Sequence, residues 1–455
     1  MNPGTKDLNL EEIFDNIRYL IKKEQKNLVL NIIADLHPAD IAELMSHLDD
    51  DERRFIFNLL PSEISHEVLV ELEENVKEDV LEGMDTSQIA EMVNEMDSDD
   101  AADLVSDLSA EQATEVLEKV EDESSEEIQE LLLYPEDTAG GLMAKEYVAV
   151  NADMTEKDAI EEIRKKHQDV EDLYYCFVTD DFGTLLGTVS LRDLILAEPN
   201  TKIRDIMKQD IISIDSDMDQ EEVAKIFKKY DLVVAPVVNK RHKLIGRITI
   251  DDVVDVIDEE IEEDLGRIAG TGEEEILEDS VLEISRSRLP WLFISFFGEM
   301  VSALILKSFS ATMEQIVATA FFIPLVMATG GSAGQQSSII VVRGLGTGEI
   351  GLKDTRRRLK REFFVALLNG AVLAALIFLL VVILLNDYAF GTLLSITLIT
   401  IIMNATIFGA VIPLFFKKIN IDPALATGPF VATFNDIIGL MIYFILLTAG
   451  MKFFL

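Results

Sequence analysis

Apolar positions recur with a period of twelve over the first 135 residues of the chain. The residue after each apolar mark is often Asp, Pro or Ser, and residues of this kind begin helices. Each unit is therefore predicted to be a two-turn helix closed by a tight turn, and the stacked units a superhelix whose core is shared between neighbours. The marks are Leu36, Leu48, Leu60, Leu72, Met84, Met96, Leu108, Val120 and Leu132.

A second internal duplication lies between residues 143 and 258. The segment "LMAKEYVAVNADMTEKDAIEEIRKKH" matches "IMKQDIISIDSDMDQEEVAKIFKKY", and "LLGTVSLRDLI" matches "LIGRITIDDVV". The pattern of each half predicts a strand, an amphipathic helix, two further β-rich runs and an Asp-rich helix. This arrangement resembles a pair of CBS domains, which usually act as sensors or regulatory dimerisation units.

Five long apolar segments follow Arg288, at 289–309, 316–342, 363–385, 391–416 and 424–450. Each holds at least the ~20 residues that a helix needs to cross a bilayer. Basic clusters precede the first segment, separate the second from the third, and separate the fourth from the fifth. Because such clusters stay in the cytoplasm, the sequence predicts a multi-pass protein of the cell membrane with five spans and its C-terminus outside.

The formal net charge of −44 is distributed unevenly along the chain. Residues 286–455 carry 8 acidic and 13 basic side chains, whereas residues 1–285 carry 75 acidic and 26 basic ones. An acidic half of this size argues against a nucleic-acid partner and favours cations as ligands. With no signal-peptide pattern at its start, this half is expected in the cytoplasm. The single cysteine, Cys176, excludes a disulfide framework and a cysteine-rich metal site.

One carboxylate, Asp436, falls in the middle of the last apolar segment. An Asp at mid-bilayer costs about 2.5–3.5 kcal/mol on insertion scales, so it is expected to face a partner or a water-filled path. The sequence places no basic residue near the middle of any span, because Lys307 and Lys452 lie towards the outer ends. A hydrated cation is therefore the predicted partner of Asp436.

Three further features of the apolar half bear on a cation path. Asp422, next to Pro423, falls at the cytoplasmic mouth and is either a cation site or a helix cap. Asn435 is a weaker candidate than its neighbour Asp436, because adjacent helical residues point about 100° apart. The second apolar segment carries Pro324 and "ATGGSAGQQSS", a composition that permits either a broken helix with pore-lining carbonyls or a closely packed one.

The order of these parts is similar to that of the MgtE magnesium channel family over essentially the whole chain. The resemblance is carried by "LHPADIAELM", "YPEDTAGGLMA", "ITIDDVVDVIDEE", "PLVMATGGSAGQQSS" and "IDPALATGPFVATFNDIIGL". It implies a homodimeric Mg²⁺-selective channel with its pore on the dimer axis and cytosolic domains that sense intracellular Mg²⁺ and shut it. It also implies that Asp436 is the ion site and Asp422 an entrance site. Ser332 and Gln335 depart from the family pattern, which has Asn at these positions.

We accordingly interpret the chain as a multidomain protein with a cytosolic all-α superhelical domain, an α/β CBS-domain pair, a connecting helix and a five-helix transmembrane domain. The boundaries are 1–135 for the superhelix, 136–200 and 201–258 for the two CBS domains, 259–285 for the connecting (plug) helix, and 286–455 for the pore domain.

Motif matches to the family place cytosolic Mg²⁺ ligands on acidic residues of three parts of the chain. High cytosolic Mg²⁺ is expected to bridge them and pull the connector over the pore, whereas low Mg²⁺ lets their repulsion open it. The expected ligands are Asp97 and Asp99 in the superhelix, Asp219, Glu221, Asp231 and Asp252 in the CBS pair, and Glu260, Glu263 and Asp264 in the connector. Mg²⁺ is thus both the transported and the regulatory ion, and ATP is a candidate modulator because CBS pairs can bind nucleotides.

Two other functions stay open on the sequence. The same pore could carry Co²⁺, Ni²⁺, Mn²⁺ or Zn²⁺, and a membrane-anchored CBS sensor would transport nothing, although an anchor has no use for Asp436. An enzyme is disfavoured, because five scattered His and one Cys come without a P-loop, a nucleophile elbow or an HExxH motif.

Overall fold

The structure, a computed structural model, describes residues 10–23, 25–34, 36–166, 173–269, 271, 280–347, 350–351, 355–419, 421–426 and 428–454. Its contacts divide the chain into two compact units, Met1–Glu259 and Glu260–Leu455. The first unit holds the superhelix and the CBS pair, and the second holds the end of the connector and the membrane helices.

The first unit begins with ten short helices. Helices α3 to α10 start twelve residues apart, so the predicted twelve-residue repeat is confirmed. The bounds are α1 Leu10–Ile21, α2 Lys26–Ile33, α3 Pro38–Ser46, α4 Asp50–Phe57, α5 Ser62–Val70, α6 Glu74–Leu81, α7 Thr86–Val93, α8 Ser98–Ser106, α9 Ala110–Leu117 and α10 Asp122–Leu131.

The superhelix is held by contacts between alternate helices. Helix α3 packs on α5, α5 on α7 and α7 on α9, while α4 packs on α6 and α8 on α10. The apolar marks supply part of this shared core: Leu48 and Leu72 are buried. The residue after a mark is the N-cap, as expected, and at Asp49 its Oδ1 accepts a hydrogen bond from the Glu52 N–H at 3.0 Å.

Two small α/β halves complete the first unit. In each, the first strand pairs in parallel with the second across a helix, and the second pairs antiparallel with the third. The predicted duplicated pattern is therefore confirmed. The first half consists of β1 Ala149–Asn151, α11 Glu156–Lys166, β2 Tyr175–Thr179, β3 Leu185–Ser190, α12 Leu191–Leu196 and α13 Ile203–Ile206. The second consists of β4 Ile214–Asp215, α14 Gln220–Tyr230, β5 Val234–Val238, β6 Leu244–Thr249 and the start of α15 Ile250–Ala269.

The connector does not begin as a separate element at residue 259. Helix α15 runs without interruption from Ile250 to Ala269, because "IDDVVDVIDEEIEEDLGRIA" contains no proline and keeps one helical period throughout. Residues 272–279 of the connector lie outside the described part of the chain.

The membrane unit consists of long apolar helices. Four of them contain spans by length and hydropathy: Ile284–Ser308, Thr355–Leu385, Tyr388–Lys418 and Phe430–Gly450. The helix of the remaining predicted span, α18, has 29 residues and is long enough to cross, but its "TGGSAGQQSS" stretch makes it more polar. The elements are α16 Val281–Ser308, α17 Ser310–Gln315, α18 Ala318–Gly346, α19 Thr355–Leu385, α20 Tyr388–Lys418, a 3₁₀ turn Pro423–Ala426 and α21 Gly428–Phe454.

Helices α18, α20 and α21 share the core of this unit, and α18 stays continuous through Pro324. Its glycines serve close packing. A Cβ on Gly409 of α20 would lie 2.1 Å from the Gly334 carbonyl oxygen of α18, so the two backbones touch. Of the two arrangements that the composition permits, the structure has the closely packed helix.

We expect Gly409→Ala to lower the free energy of unfolding by about 1–3 kcal/mol, since the added methyl group has no room between α18 and α20. Denaturant unfolding of the purified protein in detergent micelles would measure the change. Gly331→Ala is the matched control, because a Cβ there meets nothing within 4 Å. Equal stability of the two variants would contradict the close helix contact.

Candidate cation sites

The first unit gathers acidic oxygens at the start of α8. Asp97 is the N-cap of this helix and Asp99 lies in its first turn. Carboxylate oxygens of Asp97, Asp99 and Glu146 all lie within 4.8 Å of one another. The structure thus brings together two predicted ligands, Asp97 and Asp99, with a third acid that the sequence analysis did not single out.

Glu146 is fastened to the beginning of α8 by hydrogen bonds. The Ser98 N–H donates to Glu146 Oε1 at 3.1 Å, and the Ser98 hydroxyl donates to Oε2 at 2.9 Å. The Lys145 N–H in turn donates to Ser98 Oγ at 2.8 Å. Free N–H groups at a helix start favour a carboxylate there, so this acid is held in place by the fold.

Asp252 adds a fourth carboxylate beside this group. Its Oδ2 accepts hydrogen bonds from the Thr249 N–H at 3.1 Å and from the Thr249 hydroxyl at 2.6 Å. One basic group is also near, since Arg247 Nη2 lies 3.4 Å from Asp97 Oδ2. Acids therefore outnumber bases at this point. We call Asp97, Asp99, Glu146 and Asp252 the acidic cluster.

The electrostatics of the cluster follow from burial and repulsion. Burial, with repulsion from Asp252 next, raises the pKa of Asp99 well above its usual value. The same two causes raise the pKa of Asp100 to about 7. Burial is also the main cause of the raised pKa of Asp252. Mg²⁺ prefers oxygen ligands, among them carboxylates, and a divalent cation bound here would relieve both the burial and the repulsion of these charges.

These pKa values predict a pH-dependent stability. An acid whose pKa is raised in the folded state binds more protons there than in the unfolded chain, so stability falls as the pH rises from about 4 to about 7. Because Mg²⁺ binds the ionised carboxylates, it should restore the stability that is lost as the pH rises, most strongly above pH 7. Thermal unfolding of the full chain in detergent at pH 5 and pH 7.5, with and without Mg²⁺, measures this.

Asp99→Asn should reduce the Mg²⁺-dependent rise in the unfolding temperature at pH 7.5 by at least about half, because one buried charge is gone. Glu111→Gln is the matched control, since Glu111 also lies in the first turn of a helix, α9, but is exposed. A Mg²⁺ effect of equal size at both pH values would contradict the proposed linkage.

In the second unit, the predicted mouth residue Asp422 is engaged by a base. The Arg267 guanidinium donates to Asp422 Oδ2 and also pairs with Glu263, one turn earlier on α15. The other Asp422 oxygen accepts the Ala424 N–H at 2.9 Å, as a cap of the 3₁₀ turn. The structure therefore joins two predicted ligands, Glu263 and Asp422, through an arginine that the sequence analysis did not consider.

The end of the connector lies directly against the membrane helices. Gly428, the first residue of α21, has φ +50°, and a Cβ there would lie 2.5 Å from the Ile268 carbonyl oxygen. Only glycine tolerates both conditions at once. Asp264 Oδ2 lies 3.8 Å from the Cβ position of Gly346 at the end of α18. The half-buried Glu260 lies one turn before Asp264 on the same helix.

Three predicted CBS ligands lie around α14 but do not come together at a single site. Asp219 is its N-cap and accepts the Glu221 N–H at 3.0 Å, while the Glu221 carboxylate pairs with Lys225 at 2.7 Å. Asp231 is the C-cap, in the left-handed conformation with φ 51°. The two Asp residues thus stand at opposite ends of a helix of 11 residues, roughly 16 Å long.

The predicted ion-site residue Asp436 is half-buried on α21. Its carboxyl group lies close to that of Glu299 on α16, a second acid within a span, and the two repel each other. The sequence analysis missed Glu299, although the same signal, a carboxylate in an apolar run without a basic neighbour, was present. Asn435 points elsewhere: it is buried, and its Nδ2 lies 2.0 Å from the Cβ position of Gly334.

Other polar residues of the spans have different surroundings. Glu362 is buried, but its carboxylate accepts the Ser337 hydroxyl at 3.0 Å and lies 2.5 Å from Arg358 Nη2. Since both of its oxygens have partners, we assign it a structural role. Ser332 and Gln335, at which this chain departs from the family pattern, are exposed on α18.

Family models match most of the chain. The model described as "Divalent cation transporter" matches residues 323–446, and "MgtE intracellular N domain" matches residues 36–137. The CBS domain model matches residues 139–200 and 203–259. Both halves of the duplication and the residues Asp97, Asp99 and Asp436 fall within these matches, whereas the connector acids from residue 260 onwards lie between them.

Similar proteins and structures agree with these matches. The chain is 36% identical to the magnesium transporter MgtE of Enterococcus faecalis over 100% of both proteins. It is 37% identical to that of Thermus thermophilus over 70% of each. A crystal structure of the cytosolic domain of the Mg²⁺ channel MgtE in complex with ATP superposes with a TM-score of 0.51 at 32% identity, covering 53% of this chain and 99% of that one.

Proposed function

Since the chain belongs to the MgtE family of divalent cation transporters, we propose that it is a Mg²⁺-selective channel that mediates Mg²⁺ influx across the membrane. The observation that carries the proposal is Asp436, an acid within a membrane helix. The sequence has no Lys or Arg between residues 419 and 451, nor between 308 and 342 or 362 and 416. A cation is the natural partner for such a carboxylate.

The chemistry of Mg²⁺ suits a site of this kind. Mg²⁺ gives up its water shell reluctantly, so a carboxylate that accepts hydrogen bonds from bound waters recognises it without dehydrating it. The membrane potential draws a cation inward with about 2.3 kcal/mol per charge per 100 mV, so no bound energy source is needed. In the proposed homodimer, Asp436 of each subunit lines one path on the two-fold axis.

The proposed gate uses the charge of the cytosolic part. At low cytosolic Mg²⁺ the acidic cluster repels itself, which favours separation of the superhelix from the CBS pair. Mg²⁺ at high concentration binds the cluster and the connector acids Glu260, Glu263 and Asp264, and the connector then closes the cytoplasmic mouth. Support comes from the raised pKa values of Asp99 and Asp252 and from the contact of Ile268 with Gly428.

At the cytoplasmic mouth, an entering Mg²⁺ is proposed to replace the Arg267 guanidinium as the partner of Asp422. Arg267 already pairs with both Asp422 and Glu263, so it holds the connector end beside α21. For Asp422 to meet an entering Mg²⁺, this arginine has to leave, and the connector end leaves with it. Asp219, Glu221 and Asp231 remain proposed ligands of further regulatory ions.

ATP is proposed as a modulator of the cytosolic part, on the basis of the similar domain that was solved with ATP. Between the CBS halves, the aromatic side chains of Tyr147, Tyr174, Tyr175 and Phe177 lie beside Val234 around a cavity of about 10 Å³, so a bound nucleotide would have to part them. In the proposed topology the basic stretches face the cytoplasm and the C-terminus lies outside. Channels for other divalent cations remain the second candidate function, since Asp436 alone does not separate Mg²⁺ from Mn²⁺ or Co²⁺.

We expect Asp436→Asn to abolish Mg²⁺ uptake, at least about tenfold below wild type, because the substitution keeps the shape of the side chain and removes its charge. Uptake into proteoliposomes with a trapped Mg²⁺-sensitive dye measures it. Glu314→Gln is the matched control, an exposed acid on α17 outside the spans. Wild-type uptake by Asp436→Asn would sink the proposed ion site, and competition with Mn²⁺ and Co²⁺ decides the selectivity.

The gating proposal predicts that millimolar Mg²⁺ slows protease cleavage between residues 258 and 286 by at least about fivefold, since the closed connector resists local opening. Limited proteolysis of the full chain in detergent measures the rate. Asp99→Asn should shift the protective Mg²⁺ concentration upwards, whereas Glu111→Gln should not. Identical cleavage with and without Mg²⁺ would refute the gate.

A further inference from the structure

The first membrane helix carries an acid at its centre. Glu299 lies nine residues before the end of the span Ile284–Ser308, or roughly 14 Å along the helix axis. The sequence has no Lys or Arg between residues 289 and 306. A carboxylate facing lipid at this depth would cost about 2.5–3.5 kcal/mol, so its position requires a polar partner or a water-filled path.

The packing of α16 on α21 fixes where Glu299 lies. The two helices run in parallel, and the register continues beyond the end of α16: the Phe309 ring stacks on Phe444 at 5.1 Å, and the Thr312 hydroxyl of α17 lies 3.1 Å from that of Thr448. Further along the same register, the Cβ position of Gly298 lies 1.8 Å from a methyl group of Thr433. Glycine at 298 therefore lets the helices touch one residue before Glu299.

This close approach brings the two intramembrane acids together. The carboxyl groups of Glu299 and Asp436 lie close enough to repel each other. Two ionised carboxylates about 4 Å apart repel by about 1 kcal/mol in water and by about 4 kcal/mol at the effective dielectric of a protein surface. Such a pair persists only with a positive charge between its members, and this charge is either a proton or a cation.

We infer that Glu299 supplies the second carboxylate of the intramembrane Mg²⁺ site, together with Asp436 of the same subunit. The inference rests on the proposed function and makes it more specific. Each Glu299 adds a negative charge beside the path that Asp436 of the two subunits lines, and a divalent cation compensates this charge better than a monovalent cation does. Glu299 therefore favours divalent over monovalent cations as well as binding the ion.

The test is the Mg²⁺ concentration that gives half-maximal uptake into proteoliposomes. Glu299→Gln should raise it at least about tenfold and should increase K⁺ uptake relative to Mg²⁺, because one of two charges beside the ion is lost. Glu299→Asp keeps the charge, so we expect it to stay within about threefold of wild type. Glu314→Gln should match wild type.

The double variant Glu299→Gln with Asp436→Asn separates one shared site from two independent ones. In a shared site the two substitutions are not additive, so the double variant should lose little more than Asp436→Asn alone. A strictly additive loss would overturn the inference. So would a Glu299→Gln protein with the half-maximal concentration and K⁺ uptake of wild type, which would assign the charge between the carboxyls to a proton.

The outcomes also distinguish this inference from the proposed function. A strong effect of Asp436→Asn with none of Glu299→Gln overturns the inference and leaves the channel standing. Absence of Mg²⁺ uptake by the wild-type protein overturns both. Should Glu299→Gln elute as an aggregate in size-exclusion chromatography, Glu299→Asp decides: wild-type selectivity supports a required charge, and lost selectivity overturns it.

Discussion

Repulsion between neighbouring carboxylates governs both groups of acids in this protein. Asp99 lies buried beside Asp252, and Glu299 lies beside Asp436 within the membrane unit. In both places the fold brings negative charges together and supplies too little positive charge to balance them. The repulsion within each group of acids is unfavourable, and a bound divalent cation turns it into attraction. The stability of both groups therefore depends on the cation.

Rigid local structure makes this repulsion useful. The cytosolic acids stand at helix starts and turns, where hydrogen bonds from Ser98 and Thr249 fix their carboxylates. In the membrane unit, Gly298 lets α16 and α21, the helices of Glu299 and Asp436, approach closely, and Gly334 and Gly409 do the same for α18 and α20. Because neither set can relax by simply moving apart, the charge has to be satisfied by a ligand or by a larger rearrangement.

The acidic residues of the second unit have three different kinds of surroundings. Glu362 is paired with Arg358 and Ser337, and Asp422 is paired with Arg267. Glu299 and Asp436 instead lie beside each other in stretches without lysine or arginine, residues 289–306 and 419–451. The first pattern stabilises the fold, the second ties the connector to the membrane helices, and the third suits the proposed cation site.

The repeated elements and the membrane helices can be predicted from the sequence alone. The twelve-residue repeat, the duplicated α/β halves and the long apolar helices are written in local periodicity, which needs no knowledge of contacts. Asp436 was also visible, because a lone charge in an apolar run is a local signal. Only the tertiary structure decided the partners. Glu146 reaches Ser98 across 48 positions, Arg267 reaches Asp422 across 155, and Glu299 meets Asp436 through helix packing. Contacts at such separations depend on how the helices pack. The hydrophobic pattern of one segment therefore does not predict which distant residue it will contact.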